Sequence, residues 1–344
     1  MNFASDNSYG AWPEIVAAIG AAAAGAVPSY GDDALTAKVR ARVAETFERE
    51  LAVFPVISGT AANALALATL VPPHGAIFCH GESHIAVDEC GAPEFFTHGA
   101  KLVPLEGDDA KLVPETLERA LAHFQKGFVH HVQPAALSIT QSTELGTVYR
   151  PGEIAALSEL AHAHGMKVHM DGARFANALA HLGCTPAEST WRAGVDAMSF
   201  GATKNGALGA EAVIFFNPAD ARDFEYRRKK AGHLLSKMRF VSAQLDAYLT
   251  GRRWLEHAAR ANRLAQTLAA GLSGVRGAGL AHPVEANAVF AYLPDATVAR
   301  LRRRGAAFYD WLPSSGGRTL VRLVISFATP EEDVKRFLEV ANDE

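Results

Sequence analysis

Apolar residues along the chain follow two rhythms that take turns. Short apolar runs of strand length fall at 76–79, 101–105, 128–132, 137–140, 167–170, 197–200 and 212–216. Between them lie stretches with apolar residues at helical spacing, at 34–51, 60–70, 114–124, 152–164 and 173–182. The helix over 60–70 is stopped by Pro72 and Pro73. Strands without internal polar alternation, interleaved with helices, predict an α/β fold: a mostly parallel sheet covered on both faces. The stretch 218–270 reads as long and helical. From about Gly274 the rhythm becomes strand 288–293, helix 296–304, strand 320–326 and helix 330–342, a smaller α+β unit. The expected division is residues 1–250, an N-terminal segment with a large domain, and 251–344, a small C-terminal domain.

Composition narrows the function classes. The 344 residues suit roughly two domains of ~150 residues. At 49% hydrophobic and 20% charged the chain is too apolar for disorder. A formal charge of −4, from 33 Lys and Arg against 37 Asp and Glu, argues against nucleic acid as a partner. Cys79, Cys90 and Cys184 are too few and too scattered for a disulfide framework or a four-ligand zinc site, which points to a reducing, cytoplasmic setting. The Ala-rich stretch 15–27, opened by Pro13 and Glu14, is too short to span a membrane and reads as a buried helix. No membrane partner is expected.

Three short segments carry candidate chemistry. Lys204 lies in Ser199-Phe200-Gly201-Ala202-Thr203-Lys204-Asn205-Gly206, between a strand end and a glycine-rich loop. A lysine there is a candidate nucleophile if burial or a neighbouring cation lowers its pKa. Because Ala207 follows Gly206, the stretch is not a phosphate-binding P-loop. About 33 residues earlier, His169-Met170-Asp171-Gly172-Ala173-Arg174 ends a strand with a carboxylate. Asp171 then either meets a ligand at the carboxyl edge of the sheet or caps the next helix. Ser58-Gly59-Thr60-Ala61-Ala62-Asn63 opens a helix whose first N–H groups suit either a phosphate or an ordinary Ser/Thr cap. His80 and His84 stand four apart, but Glu82 breaks the H-E-x-x-H order, so no metal site is expected. Arg322 lies in an apolar strand, where a charge needs either a substrate carboxylate or a structural ion pair. The run 227–230 reads as a solvated helix face.

Taken in order, a phosphate cradle, a strand-end acid and a lysine follow the order of the aspartate-aminotransferase-like enzymes that use pyridoxal 5'-phosphate (PLP). The sequence resembles the low-specificity L-threonine aldolases of the β-eliminating-lyase group. The resemblance rests on seven segments in register: 3–7, 29–33, 58–63, 84–92, 169–174, the Lys204 loop and 321–324. It implies a fold-type I PLP architecture and retro-aldol cleavage of L-threonine, L-allo-threonine or β-phenylserine to glycine and an aldehyde. Lys204 would carry the cofactor covalently, Asp171 would hold its pyridine nitrogen, and His84 would stack on its ring. Gly59 and Thr60 would hold the phosphate, with Ser58 beside them. Ser5, Arg174 and Arg322 would grip the substrate carboxylate or the cofactor phenolate. Tyr30, Lys229 (or its neighbour Lys230) and Arg239 match positions near the site that come partly from a second subunit, which implies a homodimer or homotetramer with shared sites. His84, or a water it positions, is the expected base. One departure stands out: many members carry a histidine in the loop after the strand at 137–140, and here Glu144 takes that place, which leaves the preference at Cβ open. Rival readings are β-elimination or transamination on the same fold, and a PLP-fold binding module without catalysis.

Overall fold

The computed structural model describes residues 1–343. Seven strands form one sheet: β1 (Ala52–Val56), β2 (Gly75–His80), β3 (Lys101–Leu105), β4 (Gln133–Thr140), β5 (Lys167–Gly172), β6 (Ala197–Gly201) and β7 (Glu211–Phe215). Their order is β1-β7-β6-β5-β4-β2-β3, and only the two pairings made by β7 are antiparallel. Every residue of β2, β6 and β7 is buried, as expected of strands covered on both faces. Helices such as Gly59–Leu70 and Pro151–Ala163 supply the cover.

The second sheet holds β8 (Gly279–Leu280), β9 (Ala288–Pro294), β10 (Tyr309–Ser315) and β11 (Arg318–Val324), all antiparallel, in the order β10-β11-β9-β8. Its core includes Phe3 from the other end of the chain. The Phe3 N–H donates to the Ala307 carbonyl at 2.8 Å, and the Val324 N–H donates to the Phe3 carbonyl at 2.8 Å. Helix Arg253–Leu272 joins the two cores, with Trp254 and Ala258 in the first and Leu264, Leu268 and Leu272 in the second.

Several sequence expectations give way. The run 128–132 is not a strand: Val129 is 91% exposed, and β4 begins at Gln133. The Gln133 amide there donates to the carbonyls of Phe128 and His131, closing a turn. The Ala-rich helix is shorter, Pro13–Ala22, and only Ile15 of it is buried, because alanine is tolerated equally on an exposed face. The long helix predicted over 218–270 is interrupted where Gly232 (φ +79°) and Gly251 (φ +68°) turn left-handed. Within 227–230 Arg228 is 1% exposed, paired with Glu225 and donating to the Pro55 carbonyl, so that helix is not a purely solvated face. Strands β1, β8 and β10 lie outside the predicted elements. Pro55 lies in β1 and disguises it, and a proline is admissible there because β1 is an edge strand. Among the described residues no helix is long and apolar enough to cross a membrane.

Candidate active site

The segments singled out in the sequence converge at the carboxyl edge of the parallel strands, where open α/β sheets bind ligands. β1 leads into Ser58 and the helix Gly59–Leu70, β2 leads to His84, β4 to Glu144, β5 ends at Asp171 and Arg174, and β6 leads to Lys204. Gly59, His84, Glu144, Asp171, Arg174 and Lys204 line a single pocket. The turn after Lys204 depends on Gly206 (φ +115°), where any Cβ would collide with the Trp12 indole.

Asp171 is 3% exposed and well supplied with donors. Its Oδ2 accepts from the Asn63 amide at 2.8 Å, and its Oδ1 accepts from the Ala173 N–H at 2.9 Å and the Ser199 hydroxyl at 3.3 Å. Burial alone would raise its pKa, but the Lys204 ammonium, the Ala173 N–H, His84 and Asn63 together hold it below the ordinary carboxylate value. The Asn63 amide also donates to Glu89 Oε1 at 2.8 Å, and the same oxygen meets His84 Nδ1 at 2.8 Å. Both partners of the His84–Glu89 pair are shifted upward, His84 by its bond to Glu89 and Glu89 by burial.

Lys204 makes no hydrogen bond or ion pair to another side chain among the described residues, and burial followed by the Arg174 guanidinium lowers its pKa. Arg174 in turn is bound to Asp6 in a two-pronged pair, Nε to Oδ2 at 2.7 Å and Nη2 to Oδ1 at 3.0 Å. Asn287 supports Asp6 at 3.2 Å. Arg322, on β11, has no carboxylate partner among the described residues. Its Nη2 reaches the Ala4 carbonyl at 3.4 Å, its Nε is buried without a partner, and its guanidinium carbon lies 5.2 Å from the centre of the Trp311 ring on β10. Ser5 Oγ accepts from the Asn7 N–H at 3.1 Å, capping the turn that carries Asp6.

At the helix Gly59–Leu70, Ser58 Oγ caps the Ala61 N–H at 3.3 Å. A Cβ added to Gly59 would meet nothing within 4 Å, so the approach to the first turn and Thr60 is open. An anion the size of a phosphate fits a helix start of this kind. An unpaired lysine, an ionised acid and this open cradle around one pocket fit PLP. Tyr30, Lys229 and Arg239 stand outside the pocket lining. Lys229 Nζ lies 4.5 Å from the Tyr30 ring, both residues are exposed, and Arg239 donates at 3.2 Å to the carbonyl of Gly25, shortly before Tyr30 in the chain. His80 is structural, accepting from the Glu82 N–H at 3.0 Å and reaching the Gly107 carbonyl at 2.9 Å.

Four residues of the network lacked an assigned role in the sequence: Asp6, Asn63, Glu89 and Asn287. Asn63 was within reach, because it stands four residues after Gly59 on one helix face. The pairing of Asp6 with Arg174 spans too much chain for any spacing rule to reveal it.

The fold is that of the fold-type I PLP-dependent enzymes. The structure of an aspartate aminotransferase from Rhodobacter sphaeroides covers 99% of this chain and 92% of its own with a TM-score of 0.73 at 19% identity, a likeness of fold. The β-eliminating lyase family model matches residues 2–296, and the chain belongs to that family. It is 43% identical to a low specificity L-threonine aldolase of Pseudomonas aeruginosa over 100% of this chain and 96% of that protein. It is 45% identical to another from a Pseudomonas species, over 92% and 91%. The threonine aldolase structure from Leishmania major covers 99% of this chain and 98% of its own, with a TM-score of 0.93 and 30% identity.

Proposed function

We propose that this chain is a PLP-dependent aldehyde lyase that cleaves L-threonine, L-allo-threonine and related β-hydroxy-α-amino acids such as β-phenylserine to glycine and an aldehyde. The observation that carries the reading is Lys204, which lies without a protein partner in one pocket with the ionised Asp171 and the open helix start at Gly59. Relatives that span nearly the whole chain support aldol cleavage over β-elimination or transamination.

Bound PLP supplies an electron sink for the pair released when the Cα–Cβ bond breaks. Lys204 is the amine positioned to carry it, and its lowered pKa makes a neutral nucleophile more available near pH 7. Asp171, held below the ordinary carboxylate value, would hold the pyridine nitrogen and favour its protonated form. Gly59 and Thr60, with Ser58 beside them, take the phosphate. His84, oriented through Nδ1 by Glu89, would stack on the cofactor ring. Arg322, lacking an acidic partner, receives the substrate carboxylate with help from Ser5, while Asp6 fixes Arg174 for the phenolate or carboxylate oxygen. Tyr30, Lys229 and Arg239 face a second copy of the chain in a homodimer or homotetramer, which the exposure of Tyr30 and Lys229 outside the pocket supports. Three free cysteines fit a cytoplasmic protein.

The purified protein should bind PLP with a visible absorption band that borohydride bleaches, and it should release aldehyde and glycine from threonine. Lys204→Ala should lose the band and all measurable aldehyde release. Undiminished release by that variant, or pyruvate or a keto acid as the product, would overturn the assignment.

A further inference from the structure

We propose that Glu144 takes the β-hydroxyl proton of the substrate as the Cα–Cβ bond breaks, a role that rests on the aldolase reading above. The loop after β4 fixes one carboxyl oxygen: Oε1 accepts from the His84 backbone N–H at 2.8 Å and from the Thr140 hydroxyl at 2.9 Å. The other oxygen, Oε2, is buried and has no partner, although Glu144 lines the pocket shared by Lys204, Arg174 and Asp171. Native proteins rarely leave a buried acceptor unpaired, and such an atom beside a ligand pocket points to a ligand donor. Three lining residues hold unpartnered buried atoms, Asn63 Oδ1, Ser142 Oγ and Glu144 Oε2, and only the carboxyl is a base.

His84 is the competing acceptor. Its Nδ1 is engaged by Glu89 at 2.8 Å, a bond that raises its pKa, whereas Glu144 Oε2 has no partner within the protein. Glu144 is tuned differently. Burial first, and then the charge of Asp171 on β5, push its carboxyl up to about 7, against the pull of the His84 N–H, its own N–H and the Thr140 hydroxyl. Arg174 senses it across the pocket, as do Tyr149 and Cys79 from the surrounding elements. A carboxyl near 7 both accepts and returns a proton at working pH. In the step, the O–H bond breaks and its proton moves to Oε2. The freed pair becomes the aldehyde C=O bond. The Cα–Cβ pair stays with the glycyl carbon, which gains a proton and leaves as glycine, and Glu144 releases its proton to water.

The test compares wild type, Glu144→Gln and Glu144→Asp as holoenzymes in two assays: aldehyde release from threonine, and deuterium uptake into glycine from heavy water, a reaction that involves no hydroxyl. Expected is a fall in aldehyde release on the order of 10²-fold for Glu144→Gln, with glycine exchange changing by less than about threefold and partial recovery in Glu144→Asp. A separate readout needs no turnover: in cofactor-free protein with ¹³C-labelled glutamate, one carboxyl resonance should titrate near 7 and vanish in Glu144→Gln. Glu211, also raised to about 7, provides the signal that stays. Aldehyde release within about threefold of wild type would overturn the proposal, as would parallel loss of both reactions or a Glu144 resonance titrating like an ordinary carboxylate. A wild-type enzyme that exchanges glycine yet releases no aldehyde would instead remove the aldolase reading on which the proposal rests.

Discussion

Asp171 at the end of β5 and Glu144 just beyond the end of the adjacent β4 are enclosed carboxyls facing one pocket, and burial pushes both toward the neutral form. Asp171 meets donors on both oxygens and a nearby ammonium, and it stays ionised. Glu144 meets donors on one oxygen and the repulsion of Asp171, and it titrates near neutrality. The difference teaches that position at a strand end selects a residue for the site, whereas the count of donors and the sign of the nearest charge set its work. The arginines repeat the contrast: Arg174 is tied to Asp6, and Arg322 has no acidic partner among the described residues.

The most severe way to break this comparison is Asp171→Asn, which keeps the shape and removes the charge. It should lower kcat on the order of 10³-fold, the effect of losing a preorganised charge at a reacting centre, as measured by steady-state aldehyde release. Activity within tenfold of wild type would erase the distinction between the two carboxyls. Next in size, Arg322→Gln should raise KM for threonine by about 10- to 100-fold, the loss of one charge-assisted contact, with kcat changed less. A fall in kcat at unchanged KM would move Arg322 from substrate gripping to the chemistry. The smallest effect concerns stability. Because Glu144 is held above its ordinary pKa, its contribution is present in acid and is lost as pH rises through about 7. Thermal melts should therefore show wild type losing ground to Glu144→Gln between about pH 5 and pH 8, by on the order of 2 °C. Asp171, held low, has the opposite sign: Asp171→Asn should be less stable than wild type above the ordinary carboxylate range. Equal melting shifts at both positions would dissolve the contrast.

Much of the sheet was legible because strands such as β2, β6 and β7 are buried on both faces and read as apolar runs: 76–79 lies within β2 and 197–200 within β6. The run 128–132 carries the same local signal but is a turn, since apolar content alone says nothing about whether a sheet neighbour exists. Pro55 hid β1 because a proline excludes only a central strand, and edge position is a property of the whole sheet. Lys204, Asp171 and the helix start at Gly59 could be found through local chain grammar, a strand end followed by a turn or helix. Glu144 was visible as a departure from the family pattern, but the hold on its Oε1, which leaves Oε2 without a partner, depends on the segment after β2 bringing the His84 N–H across to it. The bridge from His84 through Glu89 and Asn63 to Asp171 joins three separate segments and needs the fold to be seen.

The anchoring of Phe3 between Ala307 and Val324 has a consequence for synthesis. On the ribosome, the strands that surround Lys204 are complete once residue 215 has emerged. The segment carrying Ser5 and Asp6 can already meet Arg174, but the Ala307 and Val324 backbone groups that seat Phe3 are made roughly a hundred residues later. A nascent chain can thus shape the pocket around Lys204 while the segment around Phe3 is still unseated, and the last strand to leave the tunnel, β11, brings Arg322 and the seat for Phe3 together. Long-range closure of this kind is slow, so the competent enzyme should appear as a late step of folding, after the first sheet has formed.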